Sequence, residues 1–467
     1  MRILKNIARV FFGNILTILS GVVVGFILPK IITVSEYGFY KIFTLYFNYL
    51  GVLSLGIIDG IVLKYGGIDY ERFDRTLFRC YFAWYLIINA CFTAVLLVSS
   101  LIFSDIDYKF VVLMLCVNLI PINLIGYFQQ ISQISQRFQE YSKIKILQSI
   151  ANVVLVCVLF LINILEIDAS KYHIYMVGLS VVNILLACWY IKNYWEIVWG
   201  SRTSLREGIG EIGGLMKQGF PLLLANLCST LLLSLDRQFV SVLFSTEEYA
   251  VYAFAYSMLS LVTVATSAAS IVIYPVFKRV DLVWLKEQYQ NINTVVLVFA
   301  FLLILVYYPL EYFIRWFLPQ YTYSISIFQI ILPGLVISAS LSIVIQNYYK
   351  TLEKSRDFFV KSVVALMVAF ISNVIAYIIF RSRESISIAS IISLLVWYYI
   401  ADFPLRRVCK GRNKNILYIT LMFFGFYFCT GIIGGWVGGV INFIFLGIAT
   451  FLIYRAEFKG LRSLLQF

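Results

Sequence analysis

Long apolar stretches separated by short polar or charged segments run through the whole 467-residue chain. Each stretch is about 20 residues long, enough for a helix to cross the hydrocarbon core of a bilayer. None alternates strictly between apolar and polar residues, as a membrane barrel strand would. The pattern predicts an all-α polytopic membrane protein with fourteen transmembrane helices, at 10–31, 40–63, 79–103, 110–129, 146–165, 173–192, 219–244, 250–276, 290–313, 325–345, 360–380, 386–404, 415–433 and 437–454.

Composition agrees with the apolar pattern. Apolar and aromatic residues make up 61% of the chain and charged residues 13%, whereas soluble domains are about 25% charged. So much apolar surface cannot be hidden inside a water-soluble globule. The composition therefore excludes a soluble enzyme and a domain anchored by a single span.

Lysine and arginine define the orientation of this topology. The chain has 37 of them against 24 acidic residues, a net charge of +13. With fourteen spans, 29 fall on the side that also holds both termini, 7 fall on the other side, and Arg237 alone lies within a span. Because cytoplasmic loops carry an excess of these residues, both termini are predicted to be cytoplasmic. The net charge reflects orientation and does not indicate a nucleic-acid partner.

Other chemistry is sparse. The eight cysteines include no C-x-x-C pair and His173 is the single histidine, so we predict no metal site and no disulfide framework. The predicted outer loops, such as 104–109 and 381–385, are short, and no G-x-x-x-x-G-K-[ST] loop occurs. We therefore expect no enzyme and no ATPase within this chain. The apolar run after the basic N-terminus reaches Leu28, a length that favours a retained span over a signal peptide.

The two halves of the chain repeat one another at a shift of 212 or 213 residues. The segment SEYGFY at 35–40 returns as EEYAVY at 247–252, and a Q-x-x-x-[RK]-x-x-E-x-x-[KR] pattern follows both span 4 and span 10. Six spans separate the copies, so both halves have the same orientation. We predict a six-helix lobe at 1–192, a cytoplasmic linker at 193–218, a second six-helix lobe at 219–404 and an appended two-helix hairpin with tail at 405–467.

Two like-oriented lobes are suited to alternating access, in which one lobe rocks against the other. Pro121 in span 4 and Pro333 in span 10 occupy matching places in the repeat. Proline bends a helix because it leaves a backbone carbonyl unpaired. The pair is a candidate hinge, and simple helix irregularity is the alternative.

Ionisable residues inside spans are costly and mark candidate functional sites. Asp236 and Arg237 are adjacent in span 7, and Asp59 lies late in span 2. Neighbouring residues point about 100° apart on a helix, so the first two cannot simply neutralise each other side by side. Pairing with another helix and contact with a substrate or ion both remain open.

Polar residues at or near the span ends supply further candidates. Asn14 in span 1 aligns with Asn226 in span 7, and either bonds between helices or lines a cleft. Lys30 and Lys64 lie at the ends of spans 1 and 2. They contact a substrate or, more simply, extend to the membrane interface.

Several of these segments resemble a known family. They are SEYGFY after a first helix that ends in LPK, the SLDR of 234–237, and EEYAVY. In these the chain resembles the bacterial polysaccharide-biosynthesis transporters, the O-antigen and capsule repeat-unit flippases of the MOP superfamily. MATE drug exporters and the lipid II flippase are relatives in that superfamily. The resemblance extends over about residues 1–404.

The resemblance implies a non-enzymatic function. An undecaprenyl-diphosphate-linked oligosaccharide would be moved from the cytoplasmic to the outer leaflet of the bacterial inner membrane. Arg237 would be the leading cation for the diphosphate, with Asn14, Asn226, Lys30 and Lys64 as further binding candidates. Asp59 or Asp236 would couple transport to protons or sodium, with no bound cofactor. Membrane lipids, a polysaccharide polymerase and a chain-length regulator are the expected partners.

Three alternatives remain open at this point. A MATE-like drug/cation antiporter would share the architecture and need acidic cleft residues and a small ligand. A polysaccharide polymerase or ligase would need a sizeable outer loop with catalytic arginines, which the short outer loops disfavour. A major-facilitator sugar transporter would carry a basic signature after span 2, and that signature is absent.

Overall fold

The computed structural model describes residues 2–167, 170–277, 280–409 and 413–455, apart from the side chains of 2–12, 18, 205, 207, 261–276 and 355. Within these residues all regular elements are helical, which confirms the predicted all-α class. Some of the cations assigned to the cytoplasmic side lie outside the described residues: Lys278, Arg279, Lys410, Arg412, Lys459 and Arg462.

The helices of the first half are mostly long and apolar. They are α1 (Arg2–Ile31), α2 (Val34–Phe47), α3 (Ile57–Tyr65), α4 (Arg75–Ser100), α5 (Ile106–Ile134), α6 (Phe138–Ile164), α7 (Lys171–Asn193), α8 (Trp195–Val198) and α9 (Leu205–Leu232). Polar side chains define where several of them begin. The Thr33 hydroxyl and the Glu36 carboxylate form a capping box at the start of α2, and Asp74 and Asp105 cap α4 and α5.

The second half begins in the bend after α9. Its helices are α10 (Leu235–Leu243), α11 (Thr246–Phe277), α12 (Leu282–Ile304), α13 (Tyr307–Phe317), α14 (Ser324–Ile331), α15 (Gly334–Ala339), α16 (Gln346–Thr351), α17 (Ser355–Phe380), α18 (Arg383–Val408), α19 (Lys414–Phe428) and α20 (Gly435–Tyr454). A π-turn at Ser340–Ile345 joins α15 to α16, and another at Cys429–Ile433 follows α19.

Within the described residues, ten helices are long and apolar enough to cross a membrane, and three bent pairs raise the number to thirteen if each pair is one span. These thirteen coincide with thirteen of the predicted spans. The eighth predicted span, 250–276, falls on α11, where the side chains of 261–276 are outside the description. The chain is therefore a multi-pass membrane protein, and the count of fourteen stays a prediction.

The chain divides into two compact units. One comprises Met1–Leu227 with Ser245–Ala250, and the other Cys228–Phe244 with Val251–Phe467. The sequence predicted a linker at 193–218, but residues 205–218 are already helical as part of α9. Gly208 allows this part of α9 to pack against α4. A Cβ at Gly208 would overlap the Cys80 sulfur and lie 3.6 Å from the Trp84 indole nitrogen. The predicted lobe boundaries remain predictions.

Span 2 bends by 57° between the segment Val34–Ser54, which contains α2, and the helix α3. A 3₁₀ turn at Leu50–Ser54 ends the first segment, and Leu55 (φ 52°) and Gly56 (φ 79°) form the break in left-handed conformations. The Asn123 side-chain amide on α5 donates to the Leu50 carbonyl oxygen at 3.1 Å and to the Asn89 side-chain oxygen at 2.5 Å. Because buried backbone polar groups in a membrane need partners, this amide supports the break.

Glycines bring α3 and α9 into direct backbone contact. Gly56 and Gly60 form a G-x-x-x-G spacing, and a Cβ on Gly56 would lie 2.6 Å from the Phe220 backbone nitrogen. A Cβ on Gly60 would lie 2.8 Å from the Leu215 carbonyl carbon. Small residues at this spacing allow membrane helices to approach closely.

Candidate functional site

The adjacent charges of span 7 lie just after a break in the helix. α9 ends at Leu232 and α10 begins at Leu235, and the two segments meet at 62°. Asp236 therefore occupies the first turn of a new helix, where the partial positive charge of the helix N-terminus favours a carboxylate. α10 packs against α17 and α18 within the second unit.

Asp236 is held by tyrosine hydroxyls. Its side chain is buried, and its Oδ2 accepts hydrogen bonds from the Tyr252 hydroxyl at 2.7 Å and from the Tyr256 hydroxyl, both on α11. The Ser387 hydroxyl on α18 donates to the Tyr252 oxygen at 3.3 Å. In the described part of the chain no cation lies within 4.0 Å of this carboxylate. Phenolic donors, and not an ion pair, stabilise the buried acid.

Arg237 contacts the same tyrosine. Its guanidinium carbon lies 4.5 Å from the centroid of the Tyr256 ring, and its Nη2 donates to the Leu233 carbonyl oxygen at 3.0 Å. Its Nε is buried and has no hydrogen-bond partner among the described atoms. Tyr256 thus connects the two charges, with its hydroxyl on Asp236 and its ring face under Arg237.

The other carboxylate predicted for ion coupling lies in the first unit. Asp59 is half-buried in the first turn of α3, between Gly56 and Gly60. Lys64, in the last turn of the same helix, forms an ion pair of 2.7 Å with Glu211 on α9. The Tyr81 hydroxyl donates to the same Glu211 oxygen at 3.2 Å. A substrate would have to compete with Glu211 for Lys64.

The remaining predicted residues lie in different settings. Asn14 is half-buried in α1, whereas Asn226 is exposed on α9. Lys30 is exposed near the end of α1 and directly follows Pro29. None of these observations assigns a role in binding.

The matching prolines differ in their local structure. Pro121 is buried inside the continuous helix α5. Pro333 lies between α14 and α15, where the span bends by 42°. The hinge role of either proline remains a prediction.

A buried ion pair in the second unit was missed by the sequence analysis. The predicted span 386–404 leaves Arg406 in the loop that follows, but α18 continues to Val408 and Arg406 is 5% exposed. Its Nε lies 2.5 Å from an oxygen of Asp402, one turn earlier, and the Tyr289 hydroxyl donates to the other oxygen at 2.5 Å. The i, i+4 spacing of Asp402 and Arg406 was the sequence signal that could have revealed this pair. Opposite charges at this spacing stabilise a helix, so the helix can continue past the predicted end of the span.

Comparisons with known proteins agree with this architecture. The fold is similar to that of the lipid II flippase MurJ in an inward closed conformation, with a TM-score of 0.69, 14% identity, and coverage of 97% of this chain and 100% of that chain. It is also similar to an inward-facing multidrug resistance MATE family transporter of the MOP superfamily, with a TM-score of 0.57, 15% identity, and coverage of 85% and 96%. A Vibrio cholerae MATE transporter is similar with a TM-score of 0.54 and 14% identity, and the match covers 88% of this chain and 97% of that chain.

These structural similarities concern the fold, since the identities are low. A search of curated proteins finds no significant match to the sequence. The family described as "Polysaccharide biosynthesis protein" matches residues 3–281, more than half of the chain. The resemblance seen in SEYGFY and SLDR is thereby confirmed, and the chain belongs to the polysaccharide biosynthesis protein family.

Proposed function

We propose that this protein flips an undecaprenyl-diphosphate-linked oligosaccharide, an O-antigen or capsule repeat unit, to the outer leaflet of the bacterial inner membrane. The observation that carries the proposal is the Arg237 site, a guanidinium fixed over Tyr256 beside a buried carboxylate in a broken span. Membership of a polysaccharide biosynthesis family and a fold similar to that of a lipid II flippase support it.

Arg237 binds the lipid diphosphate in this proposal. A guanidinium presents a planar fork of donors that matches phosphate oxygens. Its position over the Tyr256 ring restricts its orientation before substrate arrives, which lowers the entropic cost of binding. Asn14, Asn226, Lys30 and Lys64 would contribute further polar contacts, the last after release from Glu211.

Asp236 and Asp59 are the proposed sites of coupling to a proton or sodium gradient. The two phenols around Asp236 donate to its Oδ2, and binding of a proton or a sodium ion there would rearrange these hydrogen bonds. Because Tyr256 also contacts Arg237, that rearrangement would reach the cation. A MATE-like antiporter is the second candidate, and the shielded carboxylate is the observation that favours it.

The proposed topology has fourteen spans with both termini in the cytoplasm and two like-oriented lobes that alternate access. Counting α11 as a span would add one to the thirteen candidates. A polysaccharide polymerase and a chain-length regulator would receive the flipped product.

Deletion and complementation test the function. In a strain that lacks the protein, lipid-linked repeat units should accumulate on the cytoplasmic face. Wild-type protein should restore transfer, and Arg237→Ala should reduce it by about tenfold or more because a charge-assisted contact is lost. Arg315→Ala is the matched control, since Arg315 is half-exposed and pairs only with Glu311 among the described residues. Outer-face accumulation in the deletion strain, or full transfer by Arg237→Ala at equal membrane abundance, would contradict the proposal.

A further inference from the structure

A polar cavity of about 490 Å³ lies in the first unit, away from the residues discussed so far. It forms where the segment between α3 and α4 meets the start of α6 and the end of α7. Its lining includes Arg75, Arg137 and Lys192 together with Glu71 and Glu196. In the predicted topology these residues lie on the cytoplasmic side.

Arg137 is preorganised between two aromatic rings. Its guanidinium carbon lies 4.6 Å from the centroid of the Tyr70 ring and 4.8 Å from that of Tyr194. The turn that presents it is also fixed, because Gln136 has φ 58° and the Arg137 N–H donates to the Ser132 carbonyl oxygen at 2.7 Å. In the described part of the chain no carboxylate lies within 4.0 Å of this guanidinium. Its N–H groups are therefore available to a ligand.

Tyr70 supplies a second donor. Its side chain is 8% exposed, it lines the cavity, and its hydroxyl has no hydrogen-bond partner among the described atoms. A buried hydroxyl without a partner is costly. Burial raises the pKa of Tyr70 to about 12, so the phenol stays protonated at neutral pH and can donate to an anion.

One ion pair and two hydrogen bonds to backbone carbonyl oxygens hold the cavity wall, and the lining keeps a positive excess. Arg75 pairs with Glu196 at 2.9 Å. The Arg79 Nε donates to the Glu196 carbonyl oxygen at 2.8 Å, and its Nη1 donates to that of Ser201 at 2.7 Å. With Glu196 neutralised, Arg137 and Lys192 face Glu71 alone among the charged lining residues.

Two exposed tryptophans adjoin the cavity. Trp195 lines it, and the Trp195 and Trp199 rings stack with centroids 5.6 Å apart. The two side chains are 54% and 67% exposed. Exposed tryptophans at the end of a membrane helix are typical of the head-group region of a bilayer. The cavity therefore opens where lipid phosphates are concentrated.

We propose that this cavity binds a phosphate group through the Arg137 guanidinium and the Tyr70 hydroxyl. The phosphate belongs either to an anionic lipid head group or to a soluble phosphate, and the same donors would bind both. The inference does not rest on transport, since it uses none of the residues assigned to the oligosaccharide.

Ligand-dependent stability of the full-length protein in detergent tests the site. The probes are inorganic phosphate, a short-chain phosphatidylglycerol and a short-chain diacylglycerol without phosphate, at constant ionic strength. Each is titrated against the melting temperature, which rises when a ligand binds the folded state. We expect saturable stabilisation by a phosphate-bearing probe and none by diacylglycerol. A response to phosphatidylglycerol alone assigns a lipid head group, and a response to both assigns phosphate itself.

Two variants and one control connect the response to these residues. Arg137→Gln should weaken binding by about tenfold, and Tyr70→Phe, which keeps the ring against Arg137, by about fivefold. Arg72→Gln is the control, because Arg72 is 78% exposed in the same segment and does not line the cavity. Shifts are measured from each variant's own melting temperature. The proposal is overturned if neither phosphate probe stabilises the wild type, or if Arg137→Gln binds as tightly as Arg72→Gln.

Discussion

Tyr256 contacts both charged residues of span 7, Asp236 and Arg237. Its hydroxyl donates to Asp236 and its ring lies 4.5 Å from the guanidinium carbon of Arg237. The sequence predicted that adjacent charges would not simply pair, but it gave no indication of an aromatic residue between them. The bridging residue comes from the next helix, 20 positions from Asp236 along the chain.

Tyr256→Phe should destabilise the protein by about 2 kcal/mol, because it removes a hydrogen bond to a buried charged group. In an Asp236→Asn background the same change should cost about 1 kcal/mol, since the remaining acceptor is neutral. Unfolding in detergent of the wild type, the two single variants and the double variant gives the coupling energy between Tyr256 and Asp236. Tyr323→Phe, at a side chain that is 76% exposed, should change little. Equal costs of Tyr256→Phe in both backgrounds would rule out the proposed contact with the carboxylate.

Breaks in transmembrane helices place the candidate residues. Asp59 and Asp236 each lie in the first turn after a break, in α3 and in α10. The sequence predicted one helix for each span, because the length of an apolar stretch carries no information about a change in helix direction. At the first break, the left-handed Leu55 and Gly56 and the contact of the Asn123 amide with the Leu50 carbonyl oxygen show where the chain turns.

Gly60→Ala should destabilise the contact between α3 and α9. A Cβ at this position would meet the backbone of Leu215, which cannot move as a flexible side chain would. We expect a cost of about 1–3 kcal/mol, the usual penalty for overpacking. Gly126→Ala in α5 is the matched control, as a Cβ there meets nothing within 4 Å. It should be neutral or stabilising by up to about 1 kcal/mol, the helix propensity gain of alanine. Similar melting temperatures for both variants would contradict the close packing.

The topology of the whole molecule depends on how many helices cross the membrane. Each crossing reverses the side on which all later loops lie, so one misassigned helix inverts the rest of the chain. The predicted asymmetry of 29 cations against 7 depends on α11 being a span. The proposed topology therefore depends most strongly on whether α11 crosses the membrane.

Epitope tags in two predicted outer loops test this count. One tag is placed between α4 and α5, at residue 104, and the other between α13 and α14, at residue 320. With fourteen spans, both should bind antibody on intact spheroplasts, because an even number of crossings separates them. A tag at residue 200 should react only after permeabilisation. If α11 does not cross, the tag at 320 will be protected while the tag at 104 stays accessible.

The sequence alone predicted the helical class, the positions of thirteen candidate spans and the family. These features depend on local properties: a helix in hydrocarbon needs about 20 apolar residues and satisfies its own backbone. Tertiary structure alone decided which polar groups meet. It paired Lys64 with Glu211, buried the Asp402–Arg406 pair, whose spacing alone was visible in the sequence, and enclosed Arg137 between two tyrosines. Most of these partners come from different helices, so their contacts depend on how helices pack, which the apolar pattern of one span does not encode.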